Sequence, residues 1–487
     1  MLLRRPLLAL LAAGMMSACS VGPDYVRPAT TIPNQYQGQA LLQSRSSSAP
    51  TTAADLSQWW TGFHDPQLTR LVALALQQNL DLAQARARLQ QAQAAVGAAN
   101  AALLPSASVS GQAARAYQSV ETPLGQVLNS RPGFDRDGHA YATDLNASWE
   151  LDIFGGLRRG REAALAEYQA SEAGLAAVQL AVAAQVADTY ISIRGLQERL
   201  RNAREQVQNQ QELLNLNRRL LERGLLAEMQ VKQMEGSLAQ FNAAIPVLST
   251  ALEVAMNAMD VMLASPPGTY TAELKEAQAI PQLPQFTDIG APAQLLRRRP
   301  DVIAAERRLA SANARIGLAV AEYYPKLSLS GLIGSATSVS SANLFSSGAS
   351  QASGALGLRW RLFDFGRINA QIEQAKGQEA EMLAAYRLAA LKATEDVENA
   401  LSALTRREQQ ATFLSQAVQS LSQSRASTFA AYRRGTASRI DVLQADESVL
   451  RSTDAQIQAR AEAARAAVLT FKALGGGWQP PASSEGA

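Results

Sequence analysis

Cysteine occurs once in the 487 residues, at Cys19, which excludes a disulfide within the chain. Histidine occurs twice, and His64 and His139 lie too far apart to share the spacing of metal ligands. There is no Walker loop, no Gly-x-Ser-x-Gly and no dinucleotide fingerprint after a strand, and the adjacent carboxylates Asp446 and Glu447 point apart on a helix. This inventory speaks against an enzyme and against a bound metal or other cofactor. Beyond the first residues, no stretch approaches the roughly 20 unbroken apolar residues of a transmembrane helix, although 47% of the chain is hydrophobic. If the chain crosses a membrane, strands must do it. An excess of one charge is missing too: 45 Lys and Arg face 42 Asp and Glu, dispersed along the chain, for a net charge of +3. That balance speaks against nucleic acid as a partner.

What is present begins at the N-terminus. Arg4 and Arg5 precede an apolar stretch from Leu7 to Met16 and then Ser17-Ala18-Cys19, the layout of a secretory signal over residues 1–18. Small residues before a cysteine resemble a bacterial lipobox. The reading is that Cys19 becomes the first mature residue and carries an S-diacylglycerol group and an N-acyl chain such as palmitate.

The chain is organised by a repeat. Residues 81–111 match residues 301–331 without a gap at a shift of 220, pairing Asp81 with Asp301, Arg88 with Arg308, Gly97 with Gly317, Pro105 with Pro325 and Ser110-Gly111 with Ser330-Gly331. A second match, at a shift of 211, pairs Trp149 with Trp360, Phe154-Gly155 with Phe365-Gly366, Arg223-Gly224 with Arg434-Gly435 and Val231 with Val442. The nine extra residues of the first half belong between Gly111 and Trp149, in an exposed loop.

Each half carries the same order of elements. From Asp144 to Ile153 the pattern has period two, with Leu145, Ala147, Trp149, Leu151 and Ile153 on one face, as in a half-buried strand. Leu356, Leu358, Trp360 and Leu362 alternate likewise, as do Leu327 and Leu329. With strands after Pro105 and Pro325, this predicts one hairpin per half, at 104–154 and 325–365. Each hairpin leads into a proline-free helical segment, 157–223 and 367–434, long enough at about 1.5 Å per residue for a rod near 100 Å. Patterns of that length indicate coiled-coil packing. Gly224 and Gly435 end the rods. Return helices follow at 228–262 and 438–474, the first kinked or interrupted at Pro246. The resulting plan is an N-terminal linker segment at 19–60, repeats at 61–270 and 292–478, a connection at 271–291 and a flexible tail at 479–487.

Two hairpins supply four strands. An open four-stranded sheet cannot sit in lipid, where unpaired backbone groups cost several kcal/mol each, and closed barrels begin at about eight strands. The chain therefore either packs its sheet on its own helices or associates so that several copies complete one barrel. The long amphipathic rods favour association.

Four motifs stand in order along the chain: Cys19 with Val21-Gly22-Pro23-Asp24-Tyr25-Val26-Arg27-Pro28; Trp59-Trp60 with Phe63, Asp65-Pro66 and Leu68; Leu295 to Val302 with Glu306-Arg307-Arg308-Leu309; and Ala473-Leu474-Gly475-Gly476-Gly477-Trp478. Together they resemble those of the outer-membrane factors of tripartite efflux pumps, the TolC and OprM-like family, in its lipoprotein branch. The resemblance implies an α+β membrane protein. In it a homotrimer closes one twelve-stranded outer-membrane barrel, four strands per chain, continued by a helical periplasmic tunnel. It implies passive conduction of drugs or other small toxic compounds, driven by an inner-membrane RND-type transporter through a periplasmic adaptor. Ser20, in place of an aspartate, agrees with sorting to the outer membrane. Two other classes stay open: an exit duct for type I protein secretion, and a structural coiled-coil periplasmic lipoprotein.

Family channels close at the periplasmic helix turns, where acidic residues form a ring. Asp441 falls on a position resembling the gate carboxylate, while the second acidic position of that pattern is Gln444 here. A locking arginine matches Ala437, with Arg439 or Arg434 as replacements. Asp441 also has a plainer reading as a helix-start carboxylate stabilised by the helix dipole. Trp149 and Trp360 read either as an interfacial aromatic belt or as core.

Overall fold

The computed structural model describes residues 20–29, 33, 35–38, 56–284 and 291–478. The expected signal segment, the acylated Cys19 and the tail 479–487 lie outside the described residues, as does most of the linker before Leu56. The chain forms two compact units. One comprises Met1–Pro28, Gln90–Ala170 and Glu306–Ala385, the other Ala29–Leu89, Ser171–Ala305 and Tyr386–Ala487, so each draws on both repeats.

Along the chain, α1 (Pro66–Gln78) and α2 (Leu80–Ala101) lead into strand β1 (Ser106–Tyr117). A loop carrying the short helix α3 (Pro123–Asn129) connects to β2 (Asp137–Leu151). Then come α4 (Gly156–Glu222), α5 (Glu228–Met262), the one-turn α6 (Thr271–Leu274), α7 (Pro292–Arg298) and α8 (Pro300–Ala321). Strands β3 (Lys326–Thr337) and β4 (Ser350–Arg359) follow, then α9 (Arg367–Arg433) and α10 (Arg439–Ala473).

The first unit holds one antiparallel sheet in the order β1-β2-β3-β4, in which β2 and β3 join the two hairpins. Its strands carry mostly small side chains, and aspartates start the helices that leave it. Asp152 accepts the amides of Leu157 and Arg158 at 3.0 and 2.9 Å, and Asp364 accepts those of Gly366 and Ile368 at 3.1 and 2.7 Å. Such side-chain acceptors satisfy the amides that a helix start leaves unpaired.

The apolar face is mostly exposed rather than buried: Val109, Ile333 and Leu356 are 76%, 68% and 69% exposed, whereas Leu151, Leu327 and Gly331 are half-buried. Period-two alternation reports two unlike faces, and within one chain it does not say what covers the apolar one.

The second unit has a helical core. Val182, Val186, Tyr190 and Ile193 of α4 are buried with Tyr386, Val397, Leu401 and Leu404 of α9. Ala459, Ala463, Ala464 and Ala467 form a buried small-residue seam on α10, and small side chains let helix axes approach at the near end of the 8–10 Å range. Helix α5 runs through Pro246 without interruption. Proline there removes the bond to the carbonyl of Asn242, and both residues are exposed, so water can take the freed acceptor. Two of the helices, α4 and α5, contain apolar stretches of 18 residues; that of α5 packs in part on α4, with Leu248 buried beside Leu200 and Ala203, while Val247, Val254 and Val261 are exposed.

Candidate functional site

In the sheet, directly paired residues share a face. One face runs through Val109, Leu145 and Ile333, then Ala107, Ala147 and Gly331, then Trp149, Leu329 and Leu356, then Leu151, Leu327 and Leu358. The other is mostly polar, presenting Ser106, Ser148 and Ser330, then Ser108, Asn146, Leu332 and Ser353, then Ser110, Asp144 and Gln351. Its groups bond across strands: the Asn146 amide donates to Ser110 Oγ at 3.0 Å and the Gln351 amide to Asp144 at 2.7 Å. From Tyr141 to Leu151, β2 offers about the 9–11 residues a transmembrane strand needs. The two tryptophans play matching parts. Trp149 Nε1–H donates to the Leu103 carbonyl and Trp360 Nε1–H to the Tyr323 carbonyl, each at 2.9 Å, with the residues 37% and 52% exposed. Each ring thus has its polar edge satisfied and part of its apolar body uncovered.

The same unit binds the segment that follows Cys19. The Val21 amide donates to the Phe154 carbonyl at 3.2 Å. The buried Arg159 guanidinium reaches the Val21 carbonyl at 3.1 Å and Asp24 at 2.7 Å. Gly22, at φ +92°, lies on Gly317 so closely that a Cβ on Gly22 would stand 2.4 Å from the Gly317 Cα. Further on, the Tyr25 hydroxyl donates to Glu306 at 3.2 Å and Arg27 pairs with the same carboxylate at 3.3 Å. The motif 21–28 is thus a strap held by backbone contacts and buried charge.

In the second unit, the turns at Gly224 and Gly435 end α4 and α9 alike. Both glycines have left-handed φ, +71° and +77°, and the next residue's amide reaches back to the carbonyl five positions earlier, Leu225 to Leu220 at 2.9 Å and Thr436 to Ala431 at 3.0 Å. This is the C-terminal stop that glycine makes possible. The helices that follow start differently in charge. At α10, Asp441 Oδ2 accepts the Ser438 amide and hydroxyl at 2.7 Å each, while the Asp441 amide donates to Ser438 Oγ at 3.1 Å. The Ser438 hydroxyl and amide hold the exposed Asp441 carboxyl below its ordinary range. At α5 the repeat partner is the neutral Gln230, whose side chain accepts the Ala227 amide at 3.3 Å.

Of the other residues singled out at the turns, Arg439 pairs with Glu212 of α4 at 2.8 Å, tying the start of α10 to the end of α4. Arg434 and Gln444 are exposed. The structure therefore gives Asp441 the helix-start role outright and leaves its second oxygen and its charge facing solvent. Sequence reasoning missed Glu212, which nothing marks in the run of charges along α4. It also missed the clasp between Asp24 and Arg159, 135 positions apart.

The remaining family-like motifs do structural work in the second unit. Arg299 is buried. It donates to Asp301 at 3.0 and 2.6 Å, to Asp396 at 2.9 Å and, at 3.4 Å, to the carbonyls of Ala393 and Ala473. Trp478 donates to the Arg298 carbonyl at 3.1 Å, and Trp59 stacks on Phe471 with centroids 5.3 Å apart. Asp65 caps α1 through the Leu68 amide at 2.9 Å and accepts the Tyr190 hydroxyl at 2.8 Å. These residues join chain segments distant in sequence, and a buried guanidinium with its donors filled is what such a joint requires.

The geometry is that of an open four-stranded sheet and a set of long helices, and known proteins share it. The model of the outer membrane efflux protein family matches residues 71–265 and 291–476. The pyoverdine export outer membrane protein OpmQ of Pseudomonas putida is 33% identical over 90% of this chain and 91% of its own length. The solved outer-membrane channel OprN superposes with a TM-score of 0.82 at 32% identity, covering 95% of this chain and all of that one. The Neisseria gonorrhoeae MtrE outer membrane channel, solved in an open state, gives 0.78 at 26% identity, covering 95% and 99%. The chain therefore belongs to the outer membrane efflux protein family and is an efflux channel of the outer membrane.

Proposed function

We propose that three copies of this chain close one twelve-stranded barrel in the outer membrane, and that their helices continue it as a tunnel through the periplasm. The observation that carries this reading is the sheet itself: one uncovered apolar face, one polar face and two unpaired edges. In lipid each unpaired backbone group costs several kcal/mol, so only closure satisfies the edges. The exposed Val247, Val254 and Val261 of α5 ask for neighbours in the same way. Conduction is passive. The energy comes from an inner-membrane transporter of the RND class, joined through a periplasmic adaptor. Cys19 carries the lipid, and the strap after it holds that end of the chain against the barrel's base. Asp441, with Arg439, Arg434 and Gln444 around it, forms the periplasmic constriction. Three Asp441 carboxylates there attract cations.

Recording from purified protein in planar bilayers tests the channel, and light scattering in detergent tests the copy number. Discrete conductance from a particle of three chains is the expected outcome, and a single-chain particle without conductance sinks the proposal. Deleting the gene separates efflux from secretion: drug or dye accumulation rises if the duct serves small molecules, whereas lost protein export with unchanged accumulation assigns it to secretion.

A further inference from the structure

The repeat places unlike charge on two copies of one structural position. In the first hairpin Ser106 stands opposite Ser148, and their hydroxyls meet at 3.0 Å. The shifts of 220 and 211 carry that pair onto Lys326 and Arg359, which stand opposite each other in the second hairpin. Lys326 lies two residues before Ser328 and four before Ser330, so the pair shares their polar face. Like charges directly across two strands repel. Two residues on, Glu150 of the first copy becomes Arg361 in the second.

Among the described residues, one carboxylate pairs with these three cations. Glu322, whose repeat mate is Ala102, takes both Lys326 and Arg361. Arg359 is exposed, and its charge reaches the same carboxylate without pairing with it. The other carboxylates on the polar face are Glu150, opposite Ser328, and Asp144, which accepts from Gln351. Asp152, just past β2, is taken up by the start of α4 and by Arg158. The end of β3 and β4 that joins α8 and α9 therefore sets three cations against Glu322 and Glu150. Serines fill the same places in the first copy, so the strands themselves do not require the charges. What the charges answer lies outside the chain.

We infer that Lys326, Arg359 and Arg361 form an anion-binding station on the polar face of the sheet, which recognises carboxylate groups of the passing solute. This deepens the three-copy barrel proposed above and rests on it, because there the polar face lines the lumen. Arg359 supplies the open guanidinium, whose planar fork takes a carboxylate through two parallel N–H donors. Glu322 holds Lys326 and Arg361 close by and cancels part of their field. A station in a conducting path has to release what it binds, and that partial cancellation keeps the hold weak.

Planar-bilayer recording on the full-length protein with trimesate, a planar tricarboxylate, tests the station. The native channel should show reversible block. Lys326→Ser with Arg359→Ser, which writes the first repeat's pair into the second, should need about tenfold more trimesate for half block. Arg359→Lys keeps the charge and should need less than about threefold more. A native channel that conducts without block, or equal block in the native and double-serine channels, overturns the station and leaves the barrel standing. Should the double variant yield no channels, Arg359→Ser decides by the same criterion, since that side chain is exposed and unpaired among the described residues. A native particle without conductance overturns the barrel reading, and the station with it.

Discussion

Residues 90–101 and 310–321 are one element written twice, the ends of α2 and α8, yet the first is exposed along nearly all its length and the second is largely buried. The sequences share Gly97 and Gly317, and both are alanine-rich. The second is the more amphipathic of the two, with Leu318 and Val320 where the first has Ala98 and Asn100. The second copy has the strap 20–28 and Arg159 laid against it, whereas a Cβ on Gly97 would meet nothing within 4 Å. What the difference teaches is that a repeated helix is solvent-facing or core according to whether a partner lies against it in the chain.

The largest expected effect breaks that comparison with one charge. Ala314 is fully buried, and Ala314→Asp leaves an unpaired carboxylate there, which should cost about 3–5 kcal/mol and prevent folding of the unit. Its mate Ala94 is exposed, so Ala94→Asp should fold as a single chain and lose the three-copy particle. Far-UV circular dichroism with light scattering reads both, and equal loss of fold in the two variants contradicts the asymmetry.

A smaller effect follows at the glycines. Any side chain on Gly317 meets the Arg159 side chain and the Val21 carbonyl at 2.8 Å, so Gly317→Val should cost about 1–3 kcal/mol and lift the strap. Protease cleavage within residues 20–28 then accelerates, while Gly97→Val leaves it unchanged. Unchanged cleavage in Gly317→Val would mean the strap is held elsewhere.

The smallest effect concerns the two helix starts. Asp441→Gln gives the second start the residue that its mate Gln230 supplies in the first, keeping an acceptor for the cap and removing that charge. Assembly should be unaffected, and cation selectivity in bilayers should fall about twofold through loss of the carboxylate ring. In the unmodified protein the same fall should come only below about pH 4, the ordinary aspartate range. Hydrogen bonds from Ser438 lower the Asp441 carboxyl, so its charge persists down through that range and is lost as pH falls further. Unaltered selectivity in Asp441→Gln removes Asp441 from the conducting path.

How much of this was legible in the sequence depends on the range over which the physics acts. Alternation along 144–153 and the glycines at 224 and 435 are local signals, and strand and turn follow from them directly. The repeat was legible because it needs only self-comparison. The work done by Arg299 was not, since its partners Asp396 and Ala473 lie 97 and 174 positions away, and no pattern in Arg-Arg-Arg-Pro-Asp says which guanidinium turns inward. Likewise Asp441 offered two readings, and only the bonds to Ser438 show that the helix cap already engages one of its oxygens. The exposure of the apolar face was the misreading, because periodicity carries no information about lipid or a second chain.

The open sheet also bears on the permeability barrier of the cell. A finished chain encloses no lumen: its four strands form a strip with two free edges. Under the proposed three-copy closure, a hole exists only once the last seam is sealed, so leakiness should scale with completed rings and not with the amount of protein made.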